Sequence, residues 1–361
     1  MSFWLAFAGL VVAIIIGLGR QLTVFLVVDP AIRIFRRYKA KRNIGLVLVA
    51  CFCGAALVID WQGSDGVSTP VVTLSVAAAA LGLFAVLFNL ESLFPALDEV
   101  RVLDRQAVDA EAKADKDLAV VHVEIDDARR SYPLERMVMA RHLVHDSLGG
   151  SPIVLTYCAL CRSGIVYYAS VAGRQLTFRV VGIFRRNLIM EDLQTRTLWQ
   201  QATGRAIYGP LAGATLEMLS SEQTAWAAVR DKPGATLAVE PESAEHAPFA
   251  GERGFGLLKA ATDRIITPGK TRLSRRLPPR ETVFGIRIGS AARAYPLSEV
   301  ESGGTFLDEV GGVTLEMRYI RETSSLTAHR LDGRPDPIIE RHWWLGWNEF
   351  HPETTVYRAS E

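Results

Sequence analysis

Three apolar stretches in the first 90 residues constrain this chain more than anything else in it. Residues 3–28 read FWLAFAGLVVAIIIGLGRQLTVFLVV, residues 44–59 IGLVLVACFCGAALVI, and residues 71–89 VVTLSVAAAALGLFAVLFN. A helix needs about 20 mostly apolar residues to cross a bilayer. The outer two stretches meet that length, and the middle one does so if it extends through Trp61. The expectation is three spanning helices, with Trp4 and Trp61 as interface anchors. A cleavable leader would show a short apolar core and a small-residue cleavage site, and neither stands out.

The segment from Asp29 to Asn43 carries Arg33, Arg36, Arg37, Lys39, Lys41 and Arg42, whereas the next connection carries only Asp65. Basic loops stay on the cytoplasmic side, so the third helix would return the rest of the chain to that side. The implied location is a multi-pass inner-membrane protein whose first partner is the lipid bilayer. Residues 91–117 are rich in acid, but acidic residues say little about orientation.

The remaining chain has ordinary soluble composition, and with 361 residues there is room for more than one domain. The net charge of +1 gives no electrostatic case for a nucleic-acid partner. A small-molecule or protein partner stays open. Alternating patterns predict strands at Ala119–Ile125, Ile153–Tyr157, Ile165–Tyr168, Gln175–Val181, Thr282–Ile288, Val313–Tyr319 and Thr355–Tyr357, with helices at Leu134–Ser147 and Thr224–Val229.

A sequence echo links two regions. Ala128-Arg129-Arg130-Ser131-Tyr132-Pro133-Leu134 resembles Ala291-Ala292-Arg293-Ala294-Tyr295-Pro296-Leu297, and each is followed by a Gly-Gly pair, Gly149-Gly150 and Gly311-Gly312. Proline fits the first turn of a helix. The expected unit is therefore strand, Tyr-Pro cap, helix, Gly-Gly turn, strand. The fold class this implies is α+β: N-terminal transmembrane helices, then a β-rich region with a duplicated strand-helix-strand element. The expected domains are 1–92 (membrane), 93–117 (linker), 118–240 (cysteine-containing core) and 241–361 (a divergent repeat).

Chemistry concentrates at Thr156-Tyr157-Cys158-Ala159-Leu160-Cys161-Arg162-Ser163-Gly164. Four cysteines in the whole chain are too few for a disulfide scaffold. Cys158 and Cys161 can share a soft metal, cycle as a dithiol or pack as small apolar residues. Two sulfurs are an incomplete set for tetrahedral zinc, so His142 and His145, three apart on the expected helix, are candidate ligands. Cu(I) accepts fewer and softer ligands, which adds Met190. Arg162 would favour a thiolate at Cys161. Because Gly164 runs into another strand, a β-hairpin knuckle fits better than the helix-opening pair of thioredoxin.

Downstream, Asn187, Glu191, Gln200, Thr203 and Gly204 with Trp199 read as a loop-rich stretch that can wall a pocket over 187–204, in which case the cysteines are structural. Asn187, Glu191 and Gln200 join Cys158, Cys161 and Arg162 as catalytic candidates. Dinucleotide, phosphate-loop and serine-elbow motifs do not occur. A non-catalytic binding or assembly module is the third alternative.

Ser151–Gly164, Phe178-Arg179-Val180-Val181-Gly182, Leu198-Trp199-Gln200-Gln201-Ala202-Thr203-Gly204, Gly209-Pro210-Leu211-Ala212-Gly213 and the join Phe88–Pro95 together resemble the DUF3179 domain family of bacteria and archaea. The resemblance implies that Cys158, Cys161, Trp199, Gln200, Thr203 and Gly204 belong to the family pattern, and assigns none of them a role. It also implies an outward-facing domain, opposite to the reading from the basic segment.

Overall fold

A computed structural model describes residues 1–25, 29–63, 66–87, 90–111, 118–250, 252–267 and 269–359. The outer connection at residues 64–65, Phe88-Asn89 of the join and the polar stretch 112–117 lie outside these. The chain forms two compact units, Met1–Leu93 and Phe94–Glu361.

The first unit consists of α1 (Ser2–Phe25), α2 (Asp29–Gly63), α3 (Thr69–Leu87) and the short α4 (Leu90–Leu93). Small residues line the contacts: Ala6 and Ala56 are buried with Val71, and Ala13 and Ala78 with Ile16 and Val49. A Cβ on Gly9 would lie 2.9 Å from Cys53 Sγ, so glycine permits that close approach. Large apolar side chains point outward instead, among them Phe3, Ile15, Ile44, Val47, Val76 and Leu83. A bilayer solvates such a surface and water does not. Among the described residues two segments, Arg42–Gly63 and Thr69–Val86, are long and apolar enough to cross a membrane, while the apolar part described in α1 is the shorter Ser2–Ile16. The basic segment expected as a connection is the opening half of α2.

The second unit is not the expected α+β fold. Among the described residues it holds five sheets of three to five strands, in a propeller-like arrangement of five blades, and one further two-stranded pair. Its helices, among the described residues, are too short to form a layer, the longest covering 11 residues, Glu252–Thr262. The first sheet joins β1 (Arg101–Leu103), β2 (Ala119–Ile125), β3 (Ala128–Pro133), β14 (Ser221–Ala225) and β15 (Ala235–Val239); β1, in the stretch read as a linker, pairs with β15. The second holds β4 (Leu143–Leu148), β5 (Ser151–Cys158), β6 (Ser163–Tyr168) and β13 (Met218–Leu219). After the two-residue strands β7 (Ser170–Val171) and β8 (Arg174–Gln175) comes the third sheet, of β9 (Phe178–Phe184), β10 (Asn187–Asp192), β11 (Leu198–Gln200) and β12 (Arg205–Tyr208). The fourth holds β16 (Thr282–Ile288), β17 (Ala291–Pro296), β21 (Ile339–Trp343) and β22 (Thr355–Val356), and the fifth β18 (Gly304–Val310), β19 (Val313–Ile320) and β20 (Ser325–Arg330).

What recurs between the two regions is a pair of hairpins, not strand-helix-strand. β2 and β3 pair from Val120↔Pro133 to Ile125↔Ala128, and β16 and β17 from Val283↔Pro296 to Ile288↔Ala291. In both regions one further strand pairs antiparallel with the hairpin and another parallel: β14 and β15 in the first, β21 and β22 in the second. The prolines account for the difference. Pro133 and Pro296 are extended, with ψ of 117° and 138°, and stand just before the helical turn rather than inside it. The residue before a proline is itself biased to extended backbone, so both tyrosines finish a strand.

The expected helix over Leu134–Ser147 is mostly absent because Leu143–Leu148 pairs as a strand with β5. A single π turn (Leu134–Val138) and one α turn (Met139–Arg141) end at His142 with φ +63°. From Leu143 the chain is extended and pairs with β5 across Gly149-Gly150, both at positive φ. His142 and His145 therefore do not share a helix face.

Candidate functional site

Cys158 closes β5 and Ser163 opens β6, opposite each other in the ladder. The four-residue turn between them places Arg162 at φ +50°, and Cys161 N donates to Cys158 O at 3.3 Å. This is the hairpin knuckle expected from the strand-like sequence after Gly164. Both thiols are free and buried, Cys161 completely.

The third sheet supplies the polar surroundings. Asn187 Nδ2 donates to Cys161 Sγ at 3.2 Å, and Ser163 Oγ lies at the same distance from that sulfur. Asn187 is fixed in turn: its Nδ2 also donates to Gln201 Oε1 at 2.7 Å, while its Oδ1 accepts from Ala202 N at 2.8 Å and Gln200 Nε2 at 2.9 Å. Gln201 Nε2 donates to Thr156 Oγ1 at 3.0 Å, which returns the network to β5. A buried amide this fully engaged holds a single orientation.

The region beyond residue 280 closes the other side. Trp343 N donates to Cys161 O at 2.8 Å. A Cβ on Gly346, in the helix Trp344–Phe350, would meet Cys161 Cβ at 2.4 Å, so only glycine allows this approach. Buried His342 shares a hydrogen bond between its Nε2 and Glu340 Oε2 at 3.2 Å, and Glu340 accepts from Arg287 Nε at 3.0 Å. His342 Nδ1 has no hydrogen-bond partner.

These neighbours push the two sulfurs apart in acidity. Burial raises both. At Cys161 the Cys158 hydrogen bond, the charge of His342 and the bonds from Ser163 and Asn187 outweigh burial, bringing its pKa down to about 6. Burial and the adjacent Cys161 drive Cys158 well above the ordinary thiol range. These surroundings favour the thiolate form at Cys161 and the thiol form at Cys158.

The candidates from sequence thus divide. Asn187 and Gln200 belong to the network around Cys161. Arg162 turns away, paired with Asp263 at 2.5 Å and lying over the Trp343 ring at 5.1 Å. Glu191 is buried on β10 opposite Leu198. His142 packs on Phe94 with ring centroids 4.0 Å apart, and burial lowers its pKa to about 3. His145 has both ring nitrogens occupied, by Leu97 O and Phe178 N, and Met190 is fully buried on β10. Among the described residues no group of three His, Cys, Asp or Glu side chains is placed to hold a metal ion. The zinc set of Cys158, Cys161, His142 and His145 read from the sequence is not assembled.

The stretch 187–204 is not a loop-rich pocket wall. It forms β10 and β11 around an Asp192 turn, and Trp199 is core, its Nε1 donating to Asp192 Oδ2 at 2.9 Å. None of it lines the cleft of about 730 Å³ that opens beside the cysteine hairpin; Tyr157 and Arg162 do, facing Arg280, Arg341, Trp343 and the β19–β20 turn. Sequence reasoning missed Gln201, Ser163, His342 and Glu340. Gln201 and Ser163 adjoined residues already singled out, whereas nothing in the spacing ties His342 to a cysteine 181 positions earlier.

A family model described as a protein of unknown function (DUF3179) matches residues 92–335. No curated protein and no solved structure matches the chain. The chain belongs to the DUF3179 family.

Proposed function

We propose that this is a membrane-tethered dithiol protein, in which Cys161 is the attacking thiolate and Cys158 the resolving thiol. The observation carrying this reading is the placement of both cysteines on one hairpin turn, with the Asn187 amide donating to Cys161 Sγ at 3.2 Å, together with the opposite displacement of the two thiols, to about 6 for Cys161 and well upward for Cys158. The electron acceptor is a partner disulfide. Cys161 attacks one of its sulfurs, forming a mixed disulfide and releasing a thiolate. Cys158 then gives up its proton and attacks the Cys161 sulfur, and the second partner thiolate leaves. Two electrons pass to the partner, which takes up two protons as two thiols, and a Cys158–Cys161 bond forms. Because Gly346 and Trp343 cover Cys161, exchange requires that cover to move, which favours a small disulfide.

The test is reaction of reduced protein with a small aromatic disulfide, read by mass spectrometry. Cys158→Ser should accumulate a mixed disulfide at Cys161, and Cys161→Ser should not. Equal labelling of both variants, or of neither after partial unfolding of the cover, would defeat the reading.

The tether is a multi-pass inner-membrane anchor in the same proposal. Basic residues leading into Arg42–Gly63, followed by the return span Thr69–Val86, orient residues 94–361 to the cytoplasm. Protease added to intact spheroplasts should leave that region uncut; digestion there would place it outside, as the family resemblance implies.

A further inference from the structure

The cleft beside the cysteine hairpin has its own chemistry. Its volume of about 730 Å³ falls within the usual range for small-molecule sites. It lies between the cysteine hairpin and the turn at Arg321–Ser324, which occupies the matching place in the second region. Tyr157 forms a buried part of its wall, and burial, opposed by Arg162, raises that hydroxyl to about 12, so it stays a neutral donor.

Four cationic side chains line it, and they are not equivalent. Arg162 and Lys259 are both spent on Asp263, at 2.5 and 2.8 Å. Among the described residues Arg280 and Arg341 have no carboxylate partner. Arg341 donates only to Ser324 O, at 3.2 Å, and lies over the Phe284 ring at 5.6 Å. Arg280 lies over Trp343 at 5.8 Å, and its Nε is buried without a hydrogen-bond partner. The other acids of the cleft, Glu135 and Glu322, are exposed. An unsatisfied buried guanidinium donor is costly unless something accepts from it. An oxyanion supplies acceptors in the planar arrangement that guanidinium matches.

We propose that this cleft binds a small molecule through a carboxylate or phosphate group held by Arg280 and Arg341, with Trp343 and Tyr157 forming its walls. The assignment stands on the two unpaired arginines and does not depend on the chemistry of the cysteines.

Calorimetric titration of the full-length protein in detergent, with inorganic phosphate in one arm and succinate in the other, tests it. Saturable binding is expected in at least one arm, and the stronger arm identifies phosphate or carboxylate as the recognised group. Arg280→Gln and Arg341→Gln should each weaken binding about tenfold or more, while exposed Arg275→Gln leaves it unchanged. Arg341→Lys, which keeps the charge and loses the fork, should retain part of the binding and serves if the glutamine variant does not fold. Absence of saturable binding in both arms by folded protein, or binding unaffected by loss of either arginine, overturns the proposal.

Discussion

The two hairpin pairs of the second unit share a backbone and differ in what their turns carry. Cys158↔Ser163 closes one ladder and Ile320↔Ser325 the other, so Cys161 stands where Thr323 does, and Arg162 where Ser324 does. Both of the latter have φ +50°. Even the contact is kept: Cys161 Sγ lies 3.2 Å from Ser163 Oγ, and Thr323 Oγ1 lies 2.7 Å from Ser325 Oγ. The turn by itself therefore needs only a polar atom at this position. What sets the first copy apart lies outside the turn, in the Asn187–Gln201 network, in His342 and in a second cysteine.

That comparison can be broken in order of expected effect. Asn187→Ala strips donors or acceptors from Cys161, Gln200, Gln201 and the Ala202 amide at once. It should cost about 2–4 kcal/mol in denaturant unfolding, while Thr323→Ala in the other copy should cost about 1 kcal/mol. Gly346→Ala drives a methyl into Cys161 and should cost about 1–3 kcal/mol; wild-type stability in that variant would show that the cover over the thiolate is loose.

The clamps beneath the two hairpins give a finer contrast. Asp146 accepts from Arg130 Nη1 at 2.5 Å and Tyr132 OH at 2.6 Å. Asp308 accepts from Arg293 Nε at 2.5 Å, but the Tyr295 hydroxyl beside it makes no hydrogen bond. Asp146→Asn should therefore be more destabilising than Asp308→Asn, by about 1 kcal/mol. Equal losses would mean that Tyr132 contributes nothing through its hydroxyl. Smallest of all, Cys161→Thr imports the other copy's residue and should change stability by about 1 kcal/mol or less, while abolishing the low-pH thiolate.

How much of this was legible in the sequence follows from the range of the interactions. The β2, β16 and β19 strands were readable because alternation is local, and the Tyr-Pro echo marked matching hairpins because the same residues end the same strands. The helix at Leu134–Ser147 misled because its apolar spacing suits either state, and long-range pairing of Leu143–Leu148 with β5 decides it. Asn187 and Gln200 were visible as members of a dense polar and aromatic stretch. Their burial, with Asn187 donating to a sulfur and Gln200 to Asn187 rather than walling a pocket, depends on a sheet packed from elsewhere. His342 and Gly346 reach Cys161 only through tertiary closure, which no local pattern records.

Acidity is where the two copies should differ most, since one turn carries a threonine and the other a thiolate. A group whose folded pKa is lowered stabilises the fold above its unfolded value and loses that contribution as pH falls through the folded one. The Cys161 contribution is thus complete above about 9 and fades on acidification toward about 6. The direct measurement is the ultraviolet thiolate absorbance of reduced protein against pH, in a Cys51→Ser/Cys53→Ser background. One thiolate should titrate near pH 6, disappear in Cys161→Ser and remain in Cys158→Ser, shifted upward by loss of the Cys158 hydrogen bond. A thiolate that forms only near pH 9, or one that survives Cys161→Ser unchanged, would contradict the account.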